Sequence, residues 1–207
     1  MADAGRVVAG SARGIRLRAP GEGTRPLSDR VKESLFGALE AEGVIGVGRA
    51  FLDLFAGSGA AGIEALSRGS VRAVFVEKDA AAAGIVKENI ERARVSGATV
   101  VRMDVSSFLG YDAAAQGGPF DAVLVDPPYA NELLEPALAK LADSQRDWLA
   151  ADAVVVAKHF WRDAPPPQVG RLQRYRERRF GETMLSFYRE AKPQADAQGA
   201  AQPRVER

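Results

Sequence analysis

The stretch that decides the fold is LDLFAGSGAAGIEALSRG, from Leu52 to Gly69, in which three glycines have the spacing G-x-G-x-x-G. Behind an apolar, strand-like run and ahead of a helix-like segment, this spacing is typical of a nucleotide-binding turn. Its glycines let a ligand approach the backbone at a helix N-terminus. The spacing alone leaves three possibilities open: a nicotinamide dinucleotide, S-adenosylmethionine (AdoMet), or a turn without a ligand.

Strand-like and helix-like segments alternate outward from this turn. Buried strands are predicted at residues 50–54, 73–77, 99–103, 122–125 and 153–156, and helices at about 62–68, 80–94 and 133–141. Two further strands, at 171–179 and 184–189, follow one another without a helix between them. Repeated strand–helix units with apolar strands predict an α/β fold with a doubly wound, mostly parallel sheet, and the closing pair predicts an antiparallel edge.

Four acidic residues fall at the carboxyl ends of successive predicted strands: Asp53, Glu77, Asp104 and Asp126. Because ligands of doubly wound sheets bind beyond the carboxyl ends of the strands, these side chains are expected at one site. Glu77 follows Gly57 by 20 residues, the distance at which an acid holds the ribose of a bound nucleotide. Asp53 would repel a pyrophosphate but not a cationic ligand, and so favours AdoMet. The predicted cofactor-binding residues are Asp53, Ala56, Gly57, Ser58, Gly59, Glu77 and Asp104.

The predicted catalytic residues lie in VDPPY, directly after the fourth strand. The lone pair of an exocyclic base amine is delocalised into the ring, so the amine attacks poorly. If the Asp126 carboxylate and the Pro127 carbonyl accept its two protons, the nitrogen becomes more tetrahedral and more nucleophilic. Tyr129 can stack on a base removed from its own stack. Asp126, Pro127 and Tyr129 are therefore predicted to be catalytic, and Pro128 and Tyr129 to contact the substrate.

An arginine-rich segment precedes the strand–helix units. Residues 6–10 and 14–18 are strand-like around GSARG, which predicts a β-hairpin within residues 1–19. Its few apolar residues are expected to bury little surface, and removing it is expected to leave thermal melting nearly intact. Four of its arginines, Arg6, Arg13, Arg16 and Arg18, are predicted to bind phosphates of the substrate. The alternative is a hairpin that braces the core, with the basic cluster at residues 171–179 holding nucleic acid instead.

The composition limits the remaining chemistry. The 207 residues include no cysteine and one histidine, His159, which excludes disulfides and cysteine nucleophiles and argues against a metal site. We predict no metal, no membrane partner and a cytoplasmic location. The methyltransferase-like domain is predicted to span residues 20–190, and the polar residues 191–207 to form a disordered tail.

Four motifs in order carry a resemblance to a known family. RVVAGSARGIRL, RPLSDRVKESLFGAL, LDLFAGSGAAGIEALSRG and VDPPY together resemble the RsmD family of bacterial 16S rRNA guanine-N2 methyltransferases, over about residues 6–190. The resemblance implies a seven-stranded AdoMet-dependent methyltransferase fold with an N-terminal hairpin. It implies methylation of a guanine in the helix 31 loop, with 16S rRNA as partner, within a small-subunit particle.

Two positions depart from the pattern of that family. Leu27 and Ser28 stand where members often have two threonines, and Lys158 and His159 follow the fifth strand, where members commonly carry an acid. We assign no role to Lys158, and interpret His159 as a surface or packing residue. The alternative functions are a DNA adenine-N6 methyltransferase, which uses the same tetrapeptide chemistry, and a non-catalytic RNA-binding protein.

Overall fold

The computed structural model describes residues 3–21, 27–128 and 131–191, which form ten strands and five α-helices in the predicted alternation. The strands are β1 Asp3–Arg6, β2 Arg16–Arg18, β3 Ala50–Leu54, β4 Arg72–Val76, β5 Ala98–Val101, β6 Phe120–Val125, β7 Leu149–Phe160, β8 Gln168–Val169, β9 Leu172–Phe180 and β10 Thr183–Glu190. The helices are α1 Asp29–Ala41, α2 Ala60–Ser67, α3 Ala80–Ala93, α4 Val105–Phe108 and α5 Asn131–Leu141.

The main sheet has the strand order β5-β4-β3-β6-β7-β10-β9-β8. Strands β3 to β7 run parallel to one another, and β10 pairs antiparallel with β7, followed by β9 and β8 in antiparallel pairing at the edge. This arrangement confirms the predicted doubly wound, mostly parallel fold and its antiparallel edge. The seven expected strands are present, and the two-residue β8 extends the edge to eight. The strand order reverses between β3 and β6, where such folds bind their ligands.

Alternate side chains of the central strands build two cores, one on each face of the sheet. Phe51, Phe75 and Leu124 pack with α1, α2 and α3 on one face. Leu52 and Val123 pack with α4 and α5 on the other face. Because both faces are covered, the strands are apolar throughout, as the sequence pattern indicated.

The N-terminal hairpin differs from its prediction. The first strand is β1, Asp3–Arg6, and not residues 6–10, and it pairs antiparallel with β2 through an irregular register. Ala4, Val7, Ala12 and Leu17 are buried in the same core as α1, α2 and α3. The expectation that this segment buries little surface is therefore wrong, because its apolar residues pack against helices and not only against each other.

Polar side chains of the helices bind the backbone of the hairpin. The Glu64 carboxylate accepts hydrogen bonds from the amides of Val8 (2.8 Å) and Ala9 (3.0 Å). Asn89 of α3 accepts from the Arg18 amide and donates to the Arg18 carbonyl, both at 2.8 Å. The ammonium of Lys32 is fully buried and donates to the Arg6 carbonyl. These bonds fasten residues 3–19 to the methyltransferase-like core.

Candidate active site

A cleft of about 980 Å³ opens at the carboxyl ends of β3, β4 and β6, at the point where the strand order reverses. Its walls include most of the residues that the sequence predicted to bind cofactor or substrate. These are Asp53, Ala56, Gly57, Ser58, Glu77, Asp104, Asp126, Pro127 and Pro128. Gly59 is not among the lining residues, and Tyr129 lies outside the described residues.

The glycine turn is shaped by two different steric demands. Gly57 and Gly59 have φ angles of 55° and 75°, a left-handed conformation that favours glycine. Gly62 has an ordinary backbone, but a Cβ atom there would lie 2.3 Å from Cε1 of Phe75. Gly62 therefore allows α2 to pack closely against β4, while Gly57 lines the cleft.

Asp53 is buried at the end of β3 and faces the N-terminus of α2. Its Oδ2 accepts a hydrogen bond of 2.9 Å from the amide of Gly62, one of the free N–H groups of the first helical turn. Burial raises the pKa of Asp53 to about 8, against the effect of this hydrogen bond, and the nearby charges of Asp126 and Glu77 raise it further. The carboxyl group thus occupies the helix terminus at which a dinucleotide would place its pyrophosphate.

Glu77 is held by two backbone amides. Its Oε2 accepts from Gly57 and its Oε1 from Asp79, both at 2.9 Å. An ionised carboxylate has about four acceptor positions, so two remain for ligand hydroxyl groups. Asp104 caps α4, and its Oδ1 accepts from the Ser107 amide at 3.2 Å. Both acids therefore have fixed orientations at the cleft.

Asp126 forms an ion pair that the sequence did not suggest. The Lys158 ammonium lies 2.7 Å from its Oδ1 and 2.9 Å from its Oδ2, and both side chains are about one-fifth exposed. Burial raises the pKa of Asp126, while the charge and hydrogen bonds of Lys158 lower it. Lys158 thus favours the ionised carboxylate in a site that otherwise disfavours it.

Sequence reasoning missed Lys158 because it considered the position after the fifth strand by itself. In the parallel pairing of β6 with β7, Val125 lies opposite Ala157. The next residue on each strand is then Asp126 and Lys158. Alignment of the two strand ends was the signal that could have found this pair.

The charge of the cleft indicates the ligand chemistry that fits it. Two lysines, Lys78 and Lys158, line it. Six acidic residues line it besides Asp53, whose raised pKa keeps its carboxyl group largely protonated at neutral pH: Glu77, Asp79, Asp104, Asp126, Asp163 and Glu182. Such a site repels a pyrophosphate and attracts a cation. The residues present therefore fit a cofactor that carries an ammonium and a sulfonium group, and they do not fit a dinucleotide.

The predicted phosphate-binding arginines lie away from the cleft. Arg6, Arg16 and Arg18 form ion pairs with Asp29 (2.8 Å), Asp3 (2.5 Å) and Glu88 (2.6 Å), and Arg13 is exposed in the turn between the strands. None of the four lines the cleft. The structure therefore does not bring these residues together with the carboxylates.

His159 is a buried residue of β7. Its Nδ1 lies 2.8 Å from the Phe160 carbonyl and its Nε2 lies 2.8 Å from Ser186 Oγ. Burial lowers its pKa. Both ring nitrogens are used in packing the antiparallel edge of the sheet.

Among residues 3–21, 27–128 and 131–191 there is no group of three potential metal-ligating His, Cys, Asp or Glu side chains. No helix within those ranges is long and apolar enough to cross a membrane.

Comparison with known proteins agrees with this arrangement. The model of the family described as conserved hypothetical protein 95 matches residues 5–189. Ribosomal RNA small subunit methyltransferase D of Escherichia coli K12 is 36% identical, with 93% of each chain covered. The protein of the same name from Haemophilus influenzae is 38% identical over 72% of this chain and 76% of its own length.

Solved structures lead to the same group. YhhF of Escherichia coli has a TM-score of 0.78 at 34% identity, over 90% of this chain and 98% of that chain. A hypothetical protein of Thermus thermophilus has a TM-score of 0.72 at 35% identity, over 88% and 97%. These matches confirm the resemblance stated from the motifs. The chain therefore belongs to the conserved hypothetical protein 95, or RsmD, family of methyltransferases.

Proposed function

We propose that this protein is an AdoMet-dependent methyltransferase that modifies the N2 amine of a guanine in 16S rRNA, in the helix 31 loop of the small ribosomal subunit. The observation that carries the proposal is the convergence of Asp53, Glu77, Asp126 and Pro127 on one acidic cleft at the switch point of the sheet. The names of the curated relatives supply the rRNA substrate. A soluble, cytoplasmic enzyme that works on a small-subunit particle is part of the same proposal.

Cofactor binding is assigned to the glycine turn and the acids around it. Asp53 and the Gly57–Ser58 backbone would hold the methionine end of AdoMet, Glu77 its ribose hydroxyls and Asp104 its adenine amine. AdoMet supplies an activated methyl group when it is bound. Because the carboxylates of Glu77 and Asp104 are already oriented by backbone amides, little ordering remains to be done on binding.

The target amine is assigned to Asp126 and the DPPY segment. The Asp126 carboxylate and the Pro127 carbonyl would each accept a hydrogen bond from one N–H group of the amine, and Tyr129 would stack on the flipped base. One N–H proton is released once the nitrogen carries the methyl group, and the Asp126 carboxylate would be its first acceptor. Lys158 contacts both oxygens of Asp126, but a carboxylate has room for further donors. Lys158 therefore keeps the acceptor ionised without occupying all of its lone pairs. Most of the acceleration would come from positioning.

The direct test measures transfer of a labelled methyl group. Purified protein and labelled AdoMet are incubated with unmodified 16S rRNA, with assembled small subunits and with DNA, and the modified nucleoside is identified by mass spectrometry. We expect N2-methylguanosine from rRNA. N6-methyladenosine in DNA would instead support the DNA-methyltransferase alternative, and no transfer to any substrate would support a non-catalytic RNA-binding protein.

Asp126→Asn and Asp126→Ala probe the assigned role. Both variants are expected to lose transfer by roughly 100-fold or more. Alanine has no acceptor for the amine, and the asparagine amide has one acceptor oxygen and presents donors as well. Their affinity for AdoMet, measured by calorimetry, is expected to stay within a few-fold of the wild type. A collapse of cofactor binding would place Asp126 in the cofactor site and contradict the mechanism.

A further inference from the structure

A cluster of aromatic and arginine side chains lies at the mouth of the cleft, at the ends of β7, β9 and β10. Thr183 pairs with Phe160 on one side and with Phe180 on the other. Phe160 and Thr183 line the cleft, and Phe160 is 38% exposed. Its ring centroid lies 6.2 Å from that of Trp161. The cluster is therefore continuous with the candidate active site.

Three arginines lie against these rings. Their guanidinium carbons lie 4.0 Å (Arg179) and 4.8 Å (Arg162) from the Trp161 ring centroid, and 6.0 Å (Arg30 of α1) from that of Phe180. A guanidinium that lies over a ring keeps its N–H groups in its own plane, where they can still donate. In Arg179 the Nε–H group donates to the Gly181 carbonyl at 2.9 Å, and the terminal N–H groups remain. We call Arg30, Phe160, Trp161, Arg162, Arg179 and Phe180 the arginine–aromatic surface.

These arginines differ from the other basic clusters in their partners. No carboxylate of the described residues forms an ion pair with Arg30, Arg162 or Arg179, whereas three hairpin arginines are each paired with an acid. Within the cluster at residues 171–179, Arg171, Arg174 and Arg176 are also paired with acids, and Arg178 donates to Ser34. The three arginines at the cleft mouth therefore form no ion pair with a described residue, although Asp163 and Glu182 line the cleft close to them.

Because the cleft is acidic, the backbone of a bound polynucleotide has to be held outside it. Seven acidic residues line the cleft, so the phosphates of a polynucleotide are repelled from it while a neutral base can enter. The backbone on either side of an extruded nucleotide must then be held outside the cleft. Guanidinium groups bind phosphate oxygens in bidentate fashion, and exposed aromatic rings stack on unpaired bases.

We propose that the arginine–aromatic surface binds the single-stranded RNA that flanks the target nucleotide, with Arg162 and Arg179 on phosphates and Phe160 stacked on a neighbouring base. This inference rests on the proposed function, because it takes RNA as the substrate. It also replaces the N-terminal hairpin as the principal phosphate-binding element. Arg30 of α1, over the Phe180 ring, would add a further phosphate contact at the α1 side of the surface.

The test compares two double variants with the same change in net charge. Arg162→Ala/Arg179→Ala removes two arginines of the surface, and Arg13→Ala/Arg16→Ala removes two from the hairpin. Binding of a fluorescein-labelled single-stranded RNA carrying the helix 31 loop sequence is measured by anisotropy between 50 and 300 mM salt. We expect the surface variant to reduce the log–log salt slope by roughly 1.4, about 0.7 for each lost phosphate contact, and the hairpin variant to leave it within about 0.3.

Phe160 is tested separately because stacking does not depend on salt. Phe160→Ala is expected to weaken RNA binding by roughly 5- to 150-fold with an unchanged slope, and Phe160→Tyr to bind as the wild type does. All variants are expected to remain folded and to keep wild-type AdoMet affinities, and these affinities would show that the cleft is intact.

Two results would overturn the inference. One is a log–log salt slope that falls in the hairpin variant as much as in the surface variant, or in the hairpin variant alone. The other is a defect of the surface variant that appears with assembled subunits but not with naked RNA, because the surface would then bind a ribosomal protein. Failure of the proposed function is separate: the wild-type protein would transfer no methyl group to rRNA, whatever the salt slopes of RNA binding.

Discussion

Replacing Asp53 by asparagine should change how the stability of the protein depends on pH. Burial raises the pKa of Asp53 from its ordinary value of 3.8 to about 8, so the folded protein holds a proton that the unfolded chain releases near pH 4. Stability from this group is fully present below the unfolded pKa and is lost as the pH rises through the folded pKa. Asparagine has no such titration, and its side-chain oxygen can still accept the hydrogen bond from the Gly62 amide.

The magnitude follows from proton linkage. One group protonated only in the folded state changes the free energy of unfolding by about 1.4 kcal/mol per pH unit. Between pH 5.5 and 7.5 the wild type should therefore lose roughly 2–3 kcal/mol relative to Asp53→Asn. Asp126 and Glu77 also raise the pKa of Asp53, and they remain in the variant.

The assay is urea unfolding of both proteins, without cofactor, at half-unit steps from pH 5 to pH 8.5. Asp53→Ala is the second variant. Its free energy of unfolding should depend on pH in the same way as that of Asp53→Asn, because neither side chain titrates. It should be lower at every pH by ~1–3 kcal/mol, because the buried Gly62 amide loses its acceptor. If the wild type and Asp53→Asn run parallel over the whole range, the carboxyl group is already ionised at low pH and the reasoning fails. In the wild type, the cationic groups of AdoMet should favour the ionised form of the Asp53 carboxyl group. Binding at pH 7 should therefore release close to one proton, which calorimetry detects as a heat of binding that depends on the buffer.

Three further predictions concern other parts of the molecule. Lys158→Met should move the acid limb of the pH–rate profile for methyl transfer to higher pH, because the cation that lowers the pKa of Asp126 is gone; a uniform loss at all pH values would mean that Lys158 acts otherwise. Gly62→Ala should lower the free energy of unfolding in urea by ~1–3 kcal/mol, because its Cβ atom would lie 2.3 Å from the Phe75 ring. The control is Gly84→Ala in α3, where the space is open and the change should be neutral or stabilising by up to ~1 kcal/mol. Equal effects of the two substitutions would refute the packing argument. Deleting residues 1–19 should lower the melting temperature markedly, because burial of Val7 and Leu17 alone contributes roughly 3–6 kcal/mol to the free energy of unfolding. An unchanged melting curve would instead support the expectation from the sequence that the hairpin contributes little to stability.

The sequence was informative wherever a local pattern has one structural solution. The apolar runs that contain Asp53 or end before Glu77 and Asp126 alternate with helix-like segments, and this alternation predicted central strands of a covered parallel sheet. The glycine spacing required a tight strand-to-helix turn, and Gly57 and Gly59 adopt left-handed φ angles there. Because parallel strands align their carboxyl ends, the convergence of the acids on one cleft also followed from the order of the motifs.

The tertiary structure decided the features that depend on neighbours distant in sequence. Whether a short apolar segment such as residues 3–19 is loose or fastened depends on what packs against it, and Glu64, Asn89 and Lys32 supply those contacts from three different helices. The pairing of Lys158 with Asp126 required the register of β7 against β6. Which arginines are neutralised by acids likewise depended on side chains brought together by folding. Local patterns therefore determined the elements and the position of the cleft, whereas the charge balance around it was set by long-range contacts, because electrostatic partners are chosen by distance in space and not along the chain.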